Sequence, residues 1–510
     1  MRRNVYAVFC VSLAFASPFS PSAYDVVWSA PSATPGTTLG KLSTYADAMP
    51  LGNGAFTALA WANASMGGVG VMLGHQAAMS AHTELYKLGV LQIALSPNPF
   101  SARGFFEQRL DLSTASVIVS MGGTSAAPAA TLRVWVDAHT DALHVDVTSL
   151  SPVSLTLTAR STRPATPWSH DIEFGWCGNV TSLADTFVEP LPPSRALSRA
   201  RAQSSSEIFR HATGARRPLR TLHPLPARGA FSPATLISFH RNTVEEGETL
   251  NETLTQQGLA SLIATTPDHW SDLTSGFAVD GGSSSPSPLV RVDARTLSSV
   301  APGLRFSIRA TALAVQTDAV DDFLADLAAL VAAAPDDAAA RAAHEAWWSA
   351  WWNRSHIVVN TTTAGERSAA AAAAAAPGAA ISSTYALTRY TQAVQSRGTP
   401  WPIKFNGGAF IAAMGESGEA DRRGWGPSNW WQNTRLPYGN MLRDGDFDSF
   451  KVILDYLANQ AVLLGQRTRA YFNHDGFWTT ETTHLSGSAS RPHPTFLSRD
   501  RERVRACERG

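Results

Sequence analysis

Residues 400–485 hold the chain's densest set of side chains able to handle a sugar. Three segments stand out: PWPIKFNGGAF (400–410), RGWGPSNWWQNTRLPYGNM (423–441) and YFNHDGFWTTET (471–482). Each mixes aromatic rings with Asn, Gln, Arg or Asp, and with Gly. An indole stacks on the apolar C–H face of a sugar ring, while amides, guanidinium groups and carboxylates form directed bonds to its hydroxyls. The mixture therefore suits a carbohydrate. Nine of the 15 Trp fall within residues 347–478. Asn406, Trp430, Trp431, Gln432, Asn433, Arg435, Tyr438 and His474 are the sugar contacts these segments offer.

Cleavage of a glycosidic bond takes two carboxyl groups, standing ~6.5–9.5 Å apart for inversion and ~5–5.5 Å for retention. Asp475 and Glu481 are the candidate acid and base, with Glu416, Glu419, Asp421, Asp444 and Asp446 behind them. His474-Asp475-Gly476 also reads as a turn, in which Asp475 bonds backbone and Gly476 takes a positive φ. Sequence leaves both readings open. The same holds for Trp347, Trp348, Trp351 and Trp352, which read first as packing between domains.

Other chemistries lack their motifs. The sequence holds no P-loop, HExxH, CxxC pair or G-x-S-x-G elbow. Gly68–Gly74 (GVGVMLG) misses the dinucleotide spacing and lies among strand signals. No cofactor and no metal are expected. Across the 510 residues, 41 Lys and Arg balance 41 Asp and Glu, so the whole chain offers no electrostatic footprint for nucleic acid. Only Lys41, Lys87, Lys404 and Lys451 are lysine. The other 37 basic residues are Arg, a coding bias that lowers the weight of Arg clusters. At 44% hydrophobic and 16% charged, the composition is globular.

The elements that must position these residues fall into two halves. Leu132, Val134 and Val136 alternate with polar neighbours. So do Leu143, Val145 and Val147, and again Val153, Leu155 and Leu157. Three period-two runs predict an antiparallel meander with one buried face. Leu91–Leu95, Val117–Val119 and Leu304–Ile308 add strands. No long helical pattern interrupts residues 24–315, so an N-terminal β-sandwich domain is expected over 24–318. Residues 189–229 and Gly281–Pro288 read as loops within it.

After residue 318 the period becomes helical. Residues 319–352 predict two linker helices separated by Pro335, the second carrying Trp347, Trp348, Trp351 and Trp352. A helix through Leu387, Tyr390 and Val394 is expected to start at Ser382 or Ser383. Another, with a stripe from Phe450 to Leu464, is expected to start at Asp446 or Asp448 and end at Gly465. Residues 486–510 have no apolar period and read as an anomalous tail.

Residues 1–23 read as a secretory signal peptide: Arg2-Arg3, an apolar run and Ala14-Phe15-Ala16. The run is too short for a membrane anchor, which needs about 18 apolar residues. A secreted or luminal protein is expected, with no membrane association after cleavage. Sequons at Asn63, Asn179, Asn251, Asn353 and Asn360 permit glycosylation. Cys177 and Cys507, beyond Cys10 of the leader, form no disulfide framework.

The layout resembles six-hairpin glycosidases with an N-terminal β-supersandwich, most of all glycoside hydrolase family 95 and its uncharacterised relatives. The resemblance rests on AMPLGNGAF (48–56), KLGVLQIALSPNPF (87–100), FEQRLDLSTASV (106–117) and HEAWWSAWWNRSHI (344–357). KFNGGAF and WWQNTRLPYGNM continue it. It implies an (α/α)6 barrel after the sandwich, and inverting hydrolysis. In that family a segment N-x-N-x-Q-x-x-Y-W supplies asparagines that assist the base. Asn433 and Tyr438 fit that pattern here. Trp431 replaces the first Asn, Arg435 the Gln and Gly439 the Trp, so fucosidase specificity does not carry over. Arg435 would then recognise an acidic or differently oriented sugar. Twelve barrel helices need more chain than residues 353–485 supply, so a partial barrel is expected. Two functional readings follow: a glycoside hydrolase-like protein, or a non-catalytic carbohydrate-binding or degenerate glycosidase fragment.

Overall fold

The computed structural model describes residues 19–31, 48–80, 84–101, 104–163, 168–171, 179–182, 185–188, 231–243, 250–285, 288–359, 369–404, 408–410, 421 and 429–483. Residues 1–18 of the leader, the 189–229 segment and the 486–510 tail lie outside the described residues. So do Asn406, Glu416, Glu419, Cys177 and Cys507.

Strand alternation builds two antiparallel layers that share one long strand. The first layer runs β1 (Val26–Trp28), β6 (Phe106–Asp111), β7 (Ser116–Met121), β8 (Ala130–Val136), β9 (Ala142–Arg160), β17 (Gly303–Gln316), β14 (Leu273–Gly281), β13 (Leu236–Arg241), β12 (Thr186–Val188). The second runs β2 (Met49–Gly52), β3 (Phe56–Asn63), β4 (Gly68–Met79), β5 (Leu85–Ser96), β9, β16 (Thr296–Ser299), β15 (Leu289–Asp293). Apolar residues of both inner faces, such as Val134 and Val145 against Leu73 and Leu91, meet in one buried core. This is the sandwich that the alternation predicts.

One expectation fails here. The third apolar run, Val153 to Leu157, is not a third strand of the meander. It continues β9, which pairs with β8 and β17 in its first half and with β5 and β16 in its second. Ser149–Pro152 is therefore where the strand passes between layers. The register against β17 slips there, between Gly303 and Arg305. A break in alternation marks a bulge as readily as a turn. A short helix, α1 (Leu250–Gln256), also interrupts the β region.

Helices α2 (Val320–Ala333) and α3 (Asp337–Trp352) follow the last long strand. Phe323 and Leu327 of α2 pack on the outer face of β13, β14 and β17. Asp336 caps α3 by accepting from the N–H groups of Ala338 and Ala339. The aromatic face of α3 closes onto the sandwich: Trp348, Trp351 and Trp352 are at most 2% exposed. Trp352 Nε1 donates to Leu112 O at 2.6 Å, and His344 Nε2 to Thr114 O at 2.8 Å. These four-apart tryptophans are packing residues.

The remaining helices are α4 (Ala369–Ala393), α5 (Trp431–Thr434), α6 (Tyr438–Asp444) and α7 (Phe447–Phe472). Two sequence-based limits move. Ser382 does not start α4: the helix already runs through the alanine tract and Pro377, and Ser382 Oγ donates back to Gly378 O. Gly465 does not end α7; an aromatic ring, Phe477, covers it, and the helix continues to Asn473 in the left-handed region. Asp446 precedes α7 without capping it, because both its oxygens are taken by Arg389, at 2.9 Å each. The architecture is thus a large antiparallel β region followed by helices. Among the described residues, no helix is long and apolar enough to cross a membrane.

Candidate functional site

The segment after α4 reaches the site as a two-residue ribbon. Asn429–Trp430 (β18) pairs antiparallel with Thr482–Thr483 (β19). Tyr456 of α7 fixes this ribbon from below: Asn429 Nδ2 donates to its hydroxyl at 3.2 Å, and Thr483 Oγ1 lies 2.8 Å from it. Burial pushes the Tyr456 phenol above its ordinary pKa.

The ribbon turns directly into α5. The first amides of a helix have no intrahelical acceptor and need another partner. Glu481 supplies two: its carbonyl accepts from Trp431 N–H at 2.8 Å, and Oε1 accepts from Gln432 N–H at 2.7 Å. Trp430, Trp431, Gln432 and Glu481, far apart in sequence, are thereby brought to one ledge. Trp431 is 39% exposed there. Gln432 and Arg435 are exposed and Asn433 is half-buried.

Tyr438 points the other way. It is 2% exposed, and its hydroxyl accepts from Ile403 N–H at 2.7 Å. Burial raises its pKa, which keeps it neutral. It packs with Met441, Val452 and Ile453 in the helical core, so its contact is with the chain itself.

His474 and Asp475 occupy a separate turn at the end of α7. Asn473 and Gly476 both have positive φ, at 55° and 141°. His474 Nδ1 lies 2.8 Å from Asp475 O. Asp475 is largely exposed and pairs with Arg469. Trp478 N–H donates to Thr468 Oγ1 at 2.7 Å and closes the turn back onto the helix.

The other carboxylates are buried in pairs. Asp446 faces Arg389, whose guanidinium also lies 3.9 Å from the centre of the Trp351 ring. Desolvation outweighs that arginine and raises the Asp446 pKa. Asp444 Oδ1 accepts from Tyr385 Oη at 2.8 Å. Asp421 lies against Lys87 and Arg163. Among the described residues, no group of three or more His, Cys, Asp or Glu is placed to hold a metal ion.

Sequence reasoning missed Lys87, Arg163, Asp185 and Tyr385. Their partners lie far away in sequence, so no local pattern marks them. That two of the four lysines, Lys87 and Lys404, are buried emerges only from the structure.

A sandwich joined through tryptophans to a helical region, with one exposed aromatic ledge, defines the molecule. Residues 40–188 and 194–357 match the family model described as Domain of unknown function (DUF5703). The match covers more than half of the chain, which belongs to that family. No curated protein matches it in sequence. Among solved structures it is similar to a protein from the human microbiome described as a kojibiose phosphorylase. The identity is 9% and the TM-score 0.47, over 92% of this chain and 53% of that one. It is also similar to a bacterial glucoamylase complexed with acarbose, at 10% identity and TM-score 0.33, over 91% of this chain and 56% of the other. The chain spans little more than half the length of these structures.

Proposed function

We propose that the protein is a glycoside hydrolase-like protein of carbohydrate metabolism that binds saccharide at the Trp430–Arg435 ledge. The observation that carries this is a contrast among tryptophans. Trp348, Trp351 and Trp352 of α3 are at most 2% exposed, whereas Trp431 is 39% exposed beside Gln432, Asn433 and Arg435. Exposing an indole forgoes its burial, which is worth a few kcal/mol for a large side chain. A ring left out among hydrogen-bonding side chains suits a partner with both apolar and hydroxyl faces. The motif resemblance to six-hairpin glycosidases supports the same class, with α4, α6 and α7 as helices of an (α/α)6 barrel.

The finer reading is inverting hydrolysis with Glu481 and Asp475 as the acid–base pair. Glu481 stands at the ledge. The second reading, binding without turnover, is favoured by a specific observation. Glu481 is engaged at the start of α5, and Asp475 is held by Arg469 on another turn.

The test is saccharide binding by the full chain and its Trp431→Ala variant, on a panel of oligosaccharides. At least tenfold weaker binding with unchanged melting is expected; unchanged binding overturns the proposal. Glu481→Gln and Asp475→Asn then decide the chemistry. Lost turnover with retained binding supports hydrolysis through this pair. Binding without any wild-type turnover supports the second reading.

A further inference from the structure

A groove of about 430 Å³ runs between α4 and α6, within the size range of small-molecule sites, roughly 300–1,000 Å³. Its α4 wall presents Ile381, Thr384, Tyr385, Thr388 and Gln392, one helical face at spacings of three and four. Asn440 and Asp444, four apart on α6, form the other wall.

The polar groups behind the wall are already committed. Arg389 donates to both oxygens of Asp446, to Ser355 O and to Trp351 O. Four of its five N–H donors are thereby committed and Asp446 balances its charge, so it draws an anion into the groove only weakly. Tyr385 Oη donates to Asp444 Oδ1 at 2.8 Å and lies 3.0 Å from Ser355 Oγ, which fixes the carboxylate in place. Gln392 Nε2 donates to Pro437 O at 3.1 Å.

The groups in front are not committed. Asp444 is 8% exposed, and no donor among the described residues reaches its second oxygen. Thr384, Thr388 and Asn440 are exposed, and none of their side chains bonds to another described residue. The groove thus combines one rigid carboxylate acceptor, two hydroxyls and a primary amide over the apolar Ala380 and Ile381. A buried acceptor with a spare lone pair is satisfied by a hydroxyl donor.

We propose that this groove binds a small neutral polyhydroxylated ligand, a monosaccharide unit. Asp444 accepts from ring hydroxyls, and Thr384, Thr388 and Asn440 make the flanking bonds. The proposal takes its ligand class from the proposed function but shares no residue with the Trp431 ledge, so the two fail separately.

The experiment is calorimetric titration of glucose, galactose and fucose into the full chain. The titrations are repeated in Trp431→Ala, which removes the ledge, and in Trp431→Ala combined with Thr384→Trp or with Asp444→Asn, with tetramethylammonium chloride as a cation probe. Thr384 is exposed, so its replacement fills the groove without entering the core; circular dichroism melting confirms folding. The expected result in the Trp431→Ala background is binding of at least one sugar that adding Thr384→Trp abolishes and adding Asp444→Asn weakens about tenfold. Sugar binding in that background that survives Thr384→Trp overturns the groove, and sugar binding lost in Trp431→Ala alone overturns it while leaving the ledge standing. A groove that takes tetramethylammonium and no sugar, or a chain that binds no sugar, overturns it as well.

Discussion

The main-chain N–H of Lys87 donates to Asp421 Oδ1 at 2.6 Å, joining strand β5 to the stretch that precedes the ledge. The same lysine's ammonium donates to Ala409 O at 2.8 Å. Arg163 completes the joint. Its Nη2 donates to Lys87 O at 3.1 Å, its Nε lies 3.2 Å from Asp421 Oδ2, and its Nη1 pairs with Asp185. The Tyr86 ring lies under the guanidinium at 4.3 Å. The sandwich thereby holds the approach to the ledge at two points through one strand residue.

Arg163 has a fully buried side chain and two buried carboxylates beside it. Burial is the main cause that raises the pKa of Asp185, the Asp421 charge adds to it, and Arg163 is the largest influence opposing them. Breaking a buried pair by removing one partner costs about 3–5 kcal/mol, because the remaining charge is left without compensation. Arg163→Met is expected to destabilise by that amount in urea unfolding at pH 7. A loss under 1 kcal/mol would show that the cluster carries no net charge coupling.

His344 sets an acid limit on the joint between sandwich and linker. Its Nδ1 accepts from Ala138 N–H at 3.2 Å while Nε2 donates to Thr114 O, so the fold holds it neutral. A second ring proton would face the Ala138 N–H. Burial lowers its pKa from 6.5 to about 4. A group with a depressed folded pKa contributes stability above its unfolded value and loses it as the pH falls through the folded one. Stability is therefore expected to fall between pH 6.5 and 4, by about 3 kcal/mol in all from this residue. Urea midpoints measured across that window check it, and His344→Gln should flatten the slope.

Asp280 acts with the opposite sign. Burial raises its pKa from 3.8 to about 6, against the pull of Arg309 at 3.7 Å. Its contribution is fully present below 3.8 and is lost as the pH rises through about 6. At pH 7.5 the fold bears an ionised carboxylate that it would hold better neutral. Asp280→Asn is expected to be more stable than wild type there, by about 1–3 kcal/mol, with the gain shrinking towards pH 4. A destabilised variant at pH 7.5 would mean that the Arg309 pair outweighs desolvation.

What the sequence made legible was periodic. Val134, Val145 and Leu91 lie on buried faces because alternation is a local property of a strand. The helical starts after Pro335 and near Asp446 are legible because breaking and capping residues also act locally. Illegible features depend on distant partners. Val153–Leu157 alternates equally well in a new strand or in a continued β9. Gly465 reads as a stop until Phe477 is seen to cover it. At the site, Trp431 stood out by its polar neighbours. The joining of Glu481 to Gln432 was invisible, because a backbone amide leaves no trace in composition. Tyr438 matched a family pattern yet faces the helical core, since a pattern does not say which side of the helix is covered.

Trp348 and Trp431 separate packing from recognition. Trp348 is wholly buried, with its ring against Trp347, Trp351 and Tyr390 at centroid distances of 4.9, 5.2 and 5.5 Å. Truncating such a ring removes its transfer free energy and leaves a cavity that its rigid aromatic neighbours cannot fill. The cost is about 3–5 kcal/mol. Trp431 borders solvent, and truncating it leaves no enclosed void, so the cost there is about 1 kcal/mol or less. Thermal melts of Trp348→Ala and Trp431→Ala should therefore differ widely, with only the first lowering the midpoint by many degrees. Saccharide affinity should fall only in the second, measured well below both midpoints. If Trp431→Ala melts as low as Trp348→Ala, the ledge is packing like α3, and the exposed indole loses its role in binding.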